Sequence, residues 1–200
     1  MKRSFKEALL HRRSHYALGS EVLVDCKEIQ RMVEFALMHV PSAFNSQSSR
    51  IVLLLGDAHH RLWEIVKEVL GTMLSGETYL KTERKINHSF SSGYGTLLFY
   101  EDRSVVEEFQ NSYPLYSEQF PGWSLQTSAM HQLTLWCLLE DAGLGASLQH
   151  YNPLIDARVR MEWDLPVTWD LVAQMPFGYP LSMPEAKTHE PMAERMRVYE

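Results

Sequence analysis

Cysteine is scarce in this chain: Cys26 and Cys137 are the only two among 200 residues, and they form no CxxC pair. Such usage does not make a disulfide framework. It reads as two reduced thiols of a cytoplasmic protein, with a single Cys26–Cys137 bridge left open. Runs of like charge are missing too, and 19 Lys+Arg against 25 Asp+Glu give −6, the wrong sign for a dedicated nucleic-acid binder. The nearest basic cluster, His11-Arg12-Arg13, is too short to track a phosphate backbone. No apolar run approaches the ~20 residues of a membrane-spanning helix, and no signal-peptide core follows the charged N-terminus. Neither nucleic acid nor membrane is expected as a partner.

Several chemical signatures are absent as well. There is no GxGxxG, no P-loop lysine and no GxSxG elbow. Histidines are plentiful, but His11 and His15, or His59 and His60, have no Cys or carboxylate at ligand spacing, so no metal site is expected.

What is present fits a globular protein: 45% hydrophobic and 22% charged residues, in a length that suits one domain over 1–200. Ser4-Phe5-Lys6-Glu7 has the form of a capping box, opening a short helix that stops near Arg12-Arg13-Ser14. Asp25-Cys26-Lys27-Glu28 starts a second helix in the same way. Ile29, Met32, Val33, Ala36, Leu37 and Val40 give it one apolar face, and Pro41 ends it. The polar loop Ser42–Arg50 leads into Ile51–Leu55, an aliphatic run expected as a strand buried on both faces. Leu62, Trp63, Val66, Val69 and Leu70 mark a third helix, and a helix-permissive stretch runs on to about Phe90. Thr96–Tyr100 reads as a strand, Glu101 to Gln110 as a short helix, and Phe109 to Trp123 as an aromatic, proline-punctuated segment. A helix from Ser124 to Asp141, apolar on most sides, ends at Gly143. Ala146–Gln149 and Leu171–Met175 are the last strand candidates, with a small helix at Ile155–Met161 between them. A loop-rich tail is expected from Pro176 onward, too long to stand without partner contacts. Helices alternating with strands predict a layered α/β or α+β domain around one sheet.

Residues suited to chemistry are few. Arg12, Arg13 and Ser14 at one turn match the oxygens of a phosphate, and equally the solvated basic end of a helix. Asn45 and Gln47 offer donors and acceptors suited to the edge of a heterocycle, yet any exposed loop is composed this way. Lys187, two residues before His189, is a solvated charge on composition alone.

Arg12-Arg13-Ser14-His15-Tyr16-Ala17-Leu18 and Pro41-Ser42-Ala43-Phe44-Asn45-Ser46-Gln47-Ser48-Ser49-Arg50 resemble the two N-terminal FMN signatures of the nitroreductase family. The segments 93–102 and 145–153 resemble its short branch, related to the fatty-acid-repression-mutant proteins. Met175-Pro176-Phe177-Gly178 with Lys187 is similar to that branch's tail. The resemblance spans nearly the whole chain, and the blocks fall in the family's order.

The resemblance implies an α+β fold, its mostly antiparallel central sheet flanked by helices, in an intertwined homodimer. It also implies FMN at the subunit interface, NADH or NADPH as electron donor, and a small aromatic acceptor such as a nitroaromatic or quinone. On that basis Arg12, Ser14 and Lys187 hold the phosphate, with Arg13 and Tyr16 nearby. Ser42, Ala43, Asn45 and Gln47 approach the flavin, some from the partner subunit. Lys85 sits at the pyrimidine carbonyl edge, and Leu148, Gln149 and His150 lie beside the reactive nitrogen. Tyr16, His150 and His189 depart from residues common in larger relatives. The flavin carries the chemistry, so no side chain is assigned as nucleophile or general base. A flavin-binding sensor without turnover is the alternative reading, and a flavin-free interaction protein a more distant one.

Overall fold

In the computed structural model, which describes residues 4–200, the chain opens on the capping box expected from sequence. Ser4 Oγ accepts from Glu7 N (3.3 Å) and the Glu7 carboxylate accepts from Ser4 N (2.7 Å), starting helix α1, Phe5–His11. Strand β1, Leu18–Gly19, follows. Asp25 caps α2, Cys26–His39, through Lys27 N (3.1 Å). Then come β2, Ser49–Leu55; α3, Asp57–Gly71; α4, Gly76–Ile86; and β3, Gly95–Asp102. The second half contains α5, Arg103–Ser112; α6, Phe120–Asp141; β4, Gly145–Ala146; α7, Asp156–Glu162; β5, Trp169–Pro180; and α8, Met192–Arg195.

The strands form one antiparallel sheet in the order β1-β5-β3-β2, with β4 also pairing β5. Alternate residues of β3 face opposite layers, as the two-residue period of a strand requires. Leu98 and Tyr100 pack with Trp63, Ile65, Ile86 and Phe90 of the α3–α4 layer. Leu97 and Phe99 pack with Ile29, Ala36, Leu135 and Leu139 of the α2–α6 layer. The α+β architecture and antiparallel sheet expected from the sequence are therefore present. At the end of α6, Gly143 (φ 81°) donates to Glu140 O (3.0 Å) and Leu144 N to Leu139 O (2.9 Å), a Schellman termination.

Five sequence expectations need correction. β5 runs from Trp169 to Pro180, so Pro176–Pro180 belongs to a strand, not to the tail. Pro176 fits because its carbonyl does the bonding, accepting from Ser147 N (3.2 Å). Helix α6 starts at Phe120, four residues before the expected Ser124, because Pro121 sits in its first turn, where no intrahelical N–H is needed. Glu101 and Asp102 end β3, and α5 begins only at Arg103. Ile51–Leu55 is a strand as expected, but β2 is the outer strand of the sheet and mostly half-buried. The expected Ala146–Gln149 strand is reduced to β4 and a bridge between Gln149 and Gln174.

Candidate functional site

The turn after α1 is pinned from two sides. Ser14 bridges Ala146 of β4, and His15 N donates to Ala146 O (2.9 Å). The chain leaving β5 returns over the same turn: Leu181 N donates to Ala17 O (2.9 Å), His15 Nδ1 bonds Ser182 O (3.2 Å), and the Arg13 guanidinium donates to Glu185 O. This brings Lys187 into the field of Arg12 and Arg13. Lys187 is exposed; slight desolvation and the two guanidinium charges hold its ammonium below its ordinary pKa. Arg12 stacks on Trp136 of α6, its guanidinium carbon 4.3 Å from the ring centroid. Arg12 Nε and Trp136 Nε1 are both buried without a hydrogen-bond partner among the described residues. Buried donors are normally satisfied, so this is a cationic cluster with bonding capacity in hand. Tyr16 stands exposed beside it.

The second predicted group lies on the loop between α2 and β2. Phe44, Asn45 and Gln47 all have left-handed backbones (φ 55°, 54° and 50°), a conformation costly for a bulky side chain such as Phe. Local bonds hold the loop: Gln47 N donates to Ser42 Oγ (3.0 Å), Asn45 N to Ser42 O (2.9 Å) and Ser46 N to Ala43 O (3.1 Å). The Phe44 ring meets Tyr113, Phe120 and Trp123 at centroid distances of 4.7, 5.4 and 6.0 Å. So the aromatic segment wraps Phe44. Beside it a cavity of about 270 Å³ is lined by Ala43, Phe44, Trp123, Gln126, Thr127 and Met130. Behind the loop, Ser42, Gln47, Arg50 and the buried His131 line another of about 300 Å³. A third cavity of about 710 Å³, between the start of α2 and the end of α6, is lined by none of the predicted residues.

The two groups do not meet within one chain. Phe44 packs on Trp123 and Arg12 on Trp136, positions separated by about 20 Å along α6 at 1.5 Å per residue. Leu148 packs against the α2–α6 core, Gln149 exchanges backbone bonds with Gln174 (2.7 and 2.9 Å), and His150 is exposed. Lys85 is in the last turn of α4, whose layer lies across the sheet from α6, and its ammonium sits 5.8 Å from the Phe90 ring centroid. Sequence reasoning singled out neither Phe44 nor Arg50 nor Trp136. The first two stand inside the quoted motif and were readable as the only ring and the only cation in a polar loop. Trp136 is one of many apolar residues on its helix, and nothing in the sequence distinguishes it.

Comparisons with known proteins identify the family and the fold. Residues 9–179 match the nitroreductase family. The nitroreductase FRM2 of Saccharomyces cerevisiae is 32% identical over 187 residues, covering 92% of each chain. The nitroreductase CinD of Lactococcus lactis in complex with nicotinic acid superimposes with a TM-score of 0.91 at 40% identity, over 98% of this chain and 100% of that one. A Desulfovibrio desulfuricans structure in complex with FMN shares the fold alone (TM-score 0.70, 17% identity, 100% and 99% covered). The chain belongs to the nitroreductase family.

Proposed function

We propose that this chain is an FMN-dependent NAD(P)H oxidoreductase that works as a homodimer and reduces small aromatic acceptors. The observation that carries the reading is the cluster of Arg12, Arg13 and Lys187, with Arg12 Nε buried and unpartnered among the described residues. Cations gathered at this density, one with a desolvated free donor, suit a doubly charged phosphate. These residues fit the terminal phosphate of FMN, with Ser14 beside them. Bound there, FMN supplies a two-electron carrier between a nicotinamide and an acceptor.

The protein's own part is to bind, orient and shield. Ser42, Ala43, Asn45 and Gln47 offer backbone and amide groups to a heterocycle edge. Phe44 and Trp123, stacked with ring planes 21° apart, both line the cleft of about 270 Å³, giving it an aromatic wall suited to a flat ring. CinD, at 40% identity, is described with nicotinic acid and, at TM-score 0.90, with 4-nitrophenol, both small aromatic compounds. Lys85 and residues 148–150 are assigned to the flavin ring by resemblance.

Dimerisation is supported by the surface of the single chain. Phe5, Leu10, Phe35, Met38, Leu125 and Leu133 are exposed on α1, α2 and α6, and the apolar residues of α6 are not confined to one face. Apolar surface on this scale marks an interface. A site shared between chains also resolves the separation along α6, because one chain's basic turn can then face the other's loop.

The test is an absorption spectrum of the pure, FMN-reconstituted protein, taken before and after anaerobic addition of NADH and NADPH. Flavin bands that bleach with a nicotinamide and return with a quinone support the reading. Bands that persist under both nicotinamides sink it.

A further inference from the structure

The loop 42–47 holds left-handed backbone angles at Phe44, Asn45 and Gln47, and besides its internal bonds it is anchored at its Gln47 end by the residues that follow it. Ser48 Oγ and Ser49 Oγ each donate to one oxygen of the Glu101 carboxylate, both at 2.6 Å. Glu101 is buried on β3 and faces Ser49 in the strand pairing. Asp102 N donates to Ser48 O (2.9 Å). Arg50 reaches back the other way, donating to Gln47 O (2.8 Å) and Ser49 O (3.1 Å) with one nitrogen and to Asp102 Oδ2 (3.0 Å) with another. Its guanidinium also lies 5.9 Å from the Trp169 ring centroid.

We infer that Arg50 and Glu101 are positioning residues, a two-part brace that fixes the left-handed Gln47 and so presents the loop in one shape to the bound ligand. A guanidinium is needed because the clamp holds backbone acceptors with one nitrogen, a carboxylate in another direction with a second, and an aromatic face as well. Lysine's single ammonium cannot satisfy all three. A carboxylate at 101 is needed because both serine hydroxyls donate to it, one to each oxygen, and an amide offers only one oxygen. Burial pushes the Glu101 carboxyl above its ordinary pKa despite those bonds, which marks the cost the brace carries. Neither residue is part of the basic cluster, so the brace acts on the ring end of the site. Its functional half rests on the FMN reading above.

The test compares Arg50→Met, Arg50→Lys, Glu101→Gln and Arg12→Ala with the parent protein. In flavin-free protein, hydrogen exchange of segment 42–49 should quicken by roughly tenfold or more in Arg50→Met, the size expected for losing charge-assisted bonds. Arg50→Lys should fall between it and the parent. In FMN-loaded protein, Arg50→Met should shift the flavin spectrum and midpoint potential and raise the acceptor KM, while weakening FMN less than Arg12→Ala does. Should Arg50→Met not fold, Glu101→Gln carries the same readouts in the same direction. Unchanged loop exchange overturns the brace. A loosened loop with unmoved spectrum, potential and KM overturns the positioning role and leaves a structural one. A parent protein that takes up no FMN on reconstitution overturns the flavin reading, and with it the brace's bearing on catalysis.

Discussion

The Arg12 guanidinium carbon lies over the Trp136 ring, 4.3 Å from its centroid, so the indole helps to hold the cation in place. A contact of this kind is worth about 0.5–2 kcal/mol. Arg12→Ala should weaken FMN binding by on the order of 1.5–3 kcal/mol, roughly ten- to a hundredfold, and Lys187→Ala by a similar or smaller factor. Trp136→Leu should cost affinity through misplacement of Arg12, and Trp136→Phe should recover most of it. Fluorescence titration of FMN into apo-protein measures all four. Normal affinity in both Arg12→Ala and Lys187→Ala would return the basic turn to the status of a solvated helix end.

His59 sets a pH limit on stability. Its Nδ1 meets Thr96 Oγ1 at 2.9 Å and its Nε2 meets Ser91 O at 3.2 Å, while Trp63 Nε1 donates to the same Thr96 oxygen (3.1 Å). The network is complete with a neutral ring, and burial lowers the His59 pKa from 6.5 to about 4. The unfolded chain therefore takes up a proton at a higher pH than the folded one. Stability from this group is full above pH 6.5 and falls as pH drops toward 4, by about 3 kcal/mol in all. Urea midpoints at pH 7.5 and 4.5 should differ by correspondingly less in His59→Gln. An identical pH slope in the variant would refute this assignment.

Gly178 has no room for a side chain. A Cβ there would meet the carbonyl oxygen of Gly19, and would come within 2.9 Å of Tyr94 N. Both are backbone atoms and cannot swing aside, so Gly178→Ala should destabilise by about 1–3 kcal/mol or more. Thermal melts of the two proteins decide it, and an unchanged Tm counts against the packing argument.

The dimer prediction is equally direct. Met38 is 71% exposed in the single chain. On a free surface Met38→Glu would be nearly neutral, whereas at an apolar interface it buries a charge. Light scattering should give a two-chain mass for the parent and a lowered mass, with reduced flavin retention, for the variant. A parent that runs as one chain with flavin bound would refute the shared site.

Local chemistry was readable from the sequence where a single physical rule dominates. Ser4 and Glu7 announce a capping box, Asp25 and Pro41 bracket α2, and Gly143 closes α6. It failed where a residue's usual meaning is reversed by position. Pro121 breaks a helix interior but suits a first turn, and Pro176 is tolerated in a strand whose carbonyl, at that point, makes the bond. The apolar run of β2 resembles a central strand, yet burial is a property of its neighbours, and it lies at the sheet's edge. The candidate site was legible through motif residues, while its supports were not. Trp136 and Glu101 lie far along the chain from the residues they hold, and only folding reveals the pairing.

The span of about 20 Å along α6 between Trp123 and Trp136 has a consequence for genetics. In the proposed dimer, a lesion in the basic turn and a lesion in the loop would strike different halves of each shared site. Chains carrying Arg12→Ala and chains carrying Asn45→Ala, each poorly active alone, should complement when unfolded together and refolded. Random reassortment places both lesions in one site of every mixed dimer and leaves its other site whole, restoring about a quarter of all sites.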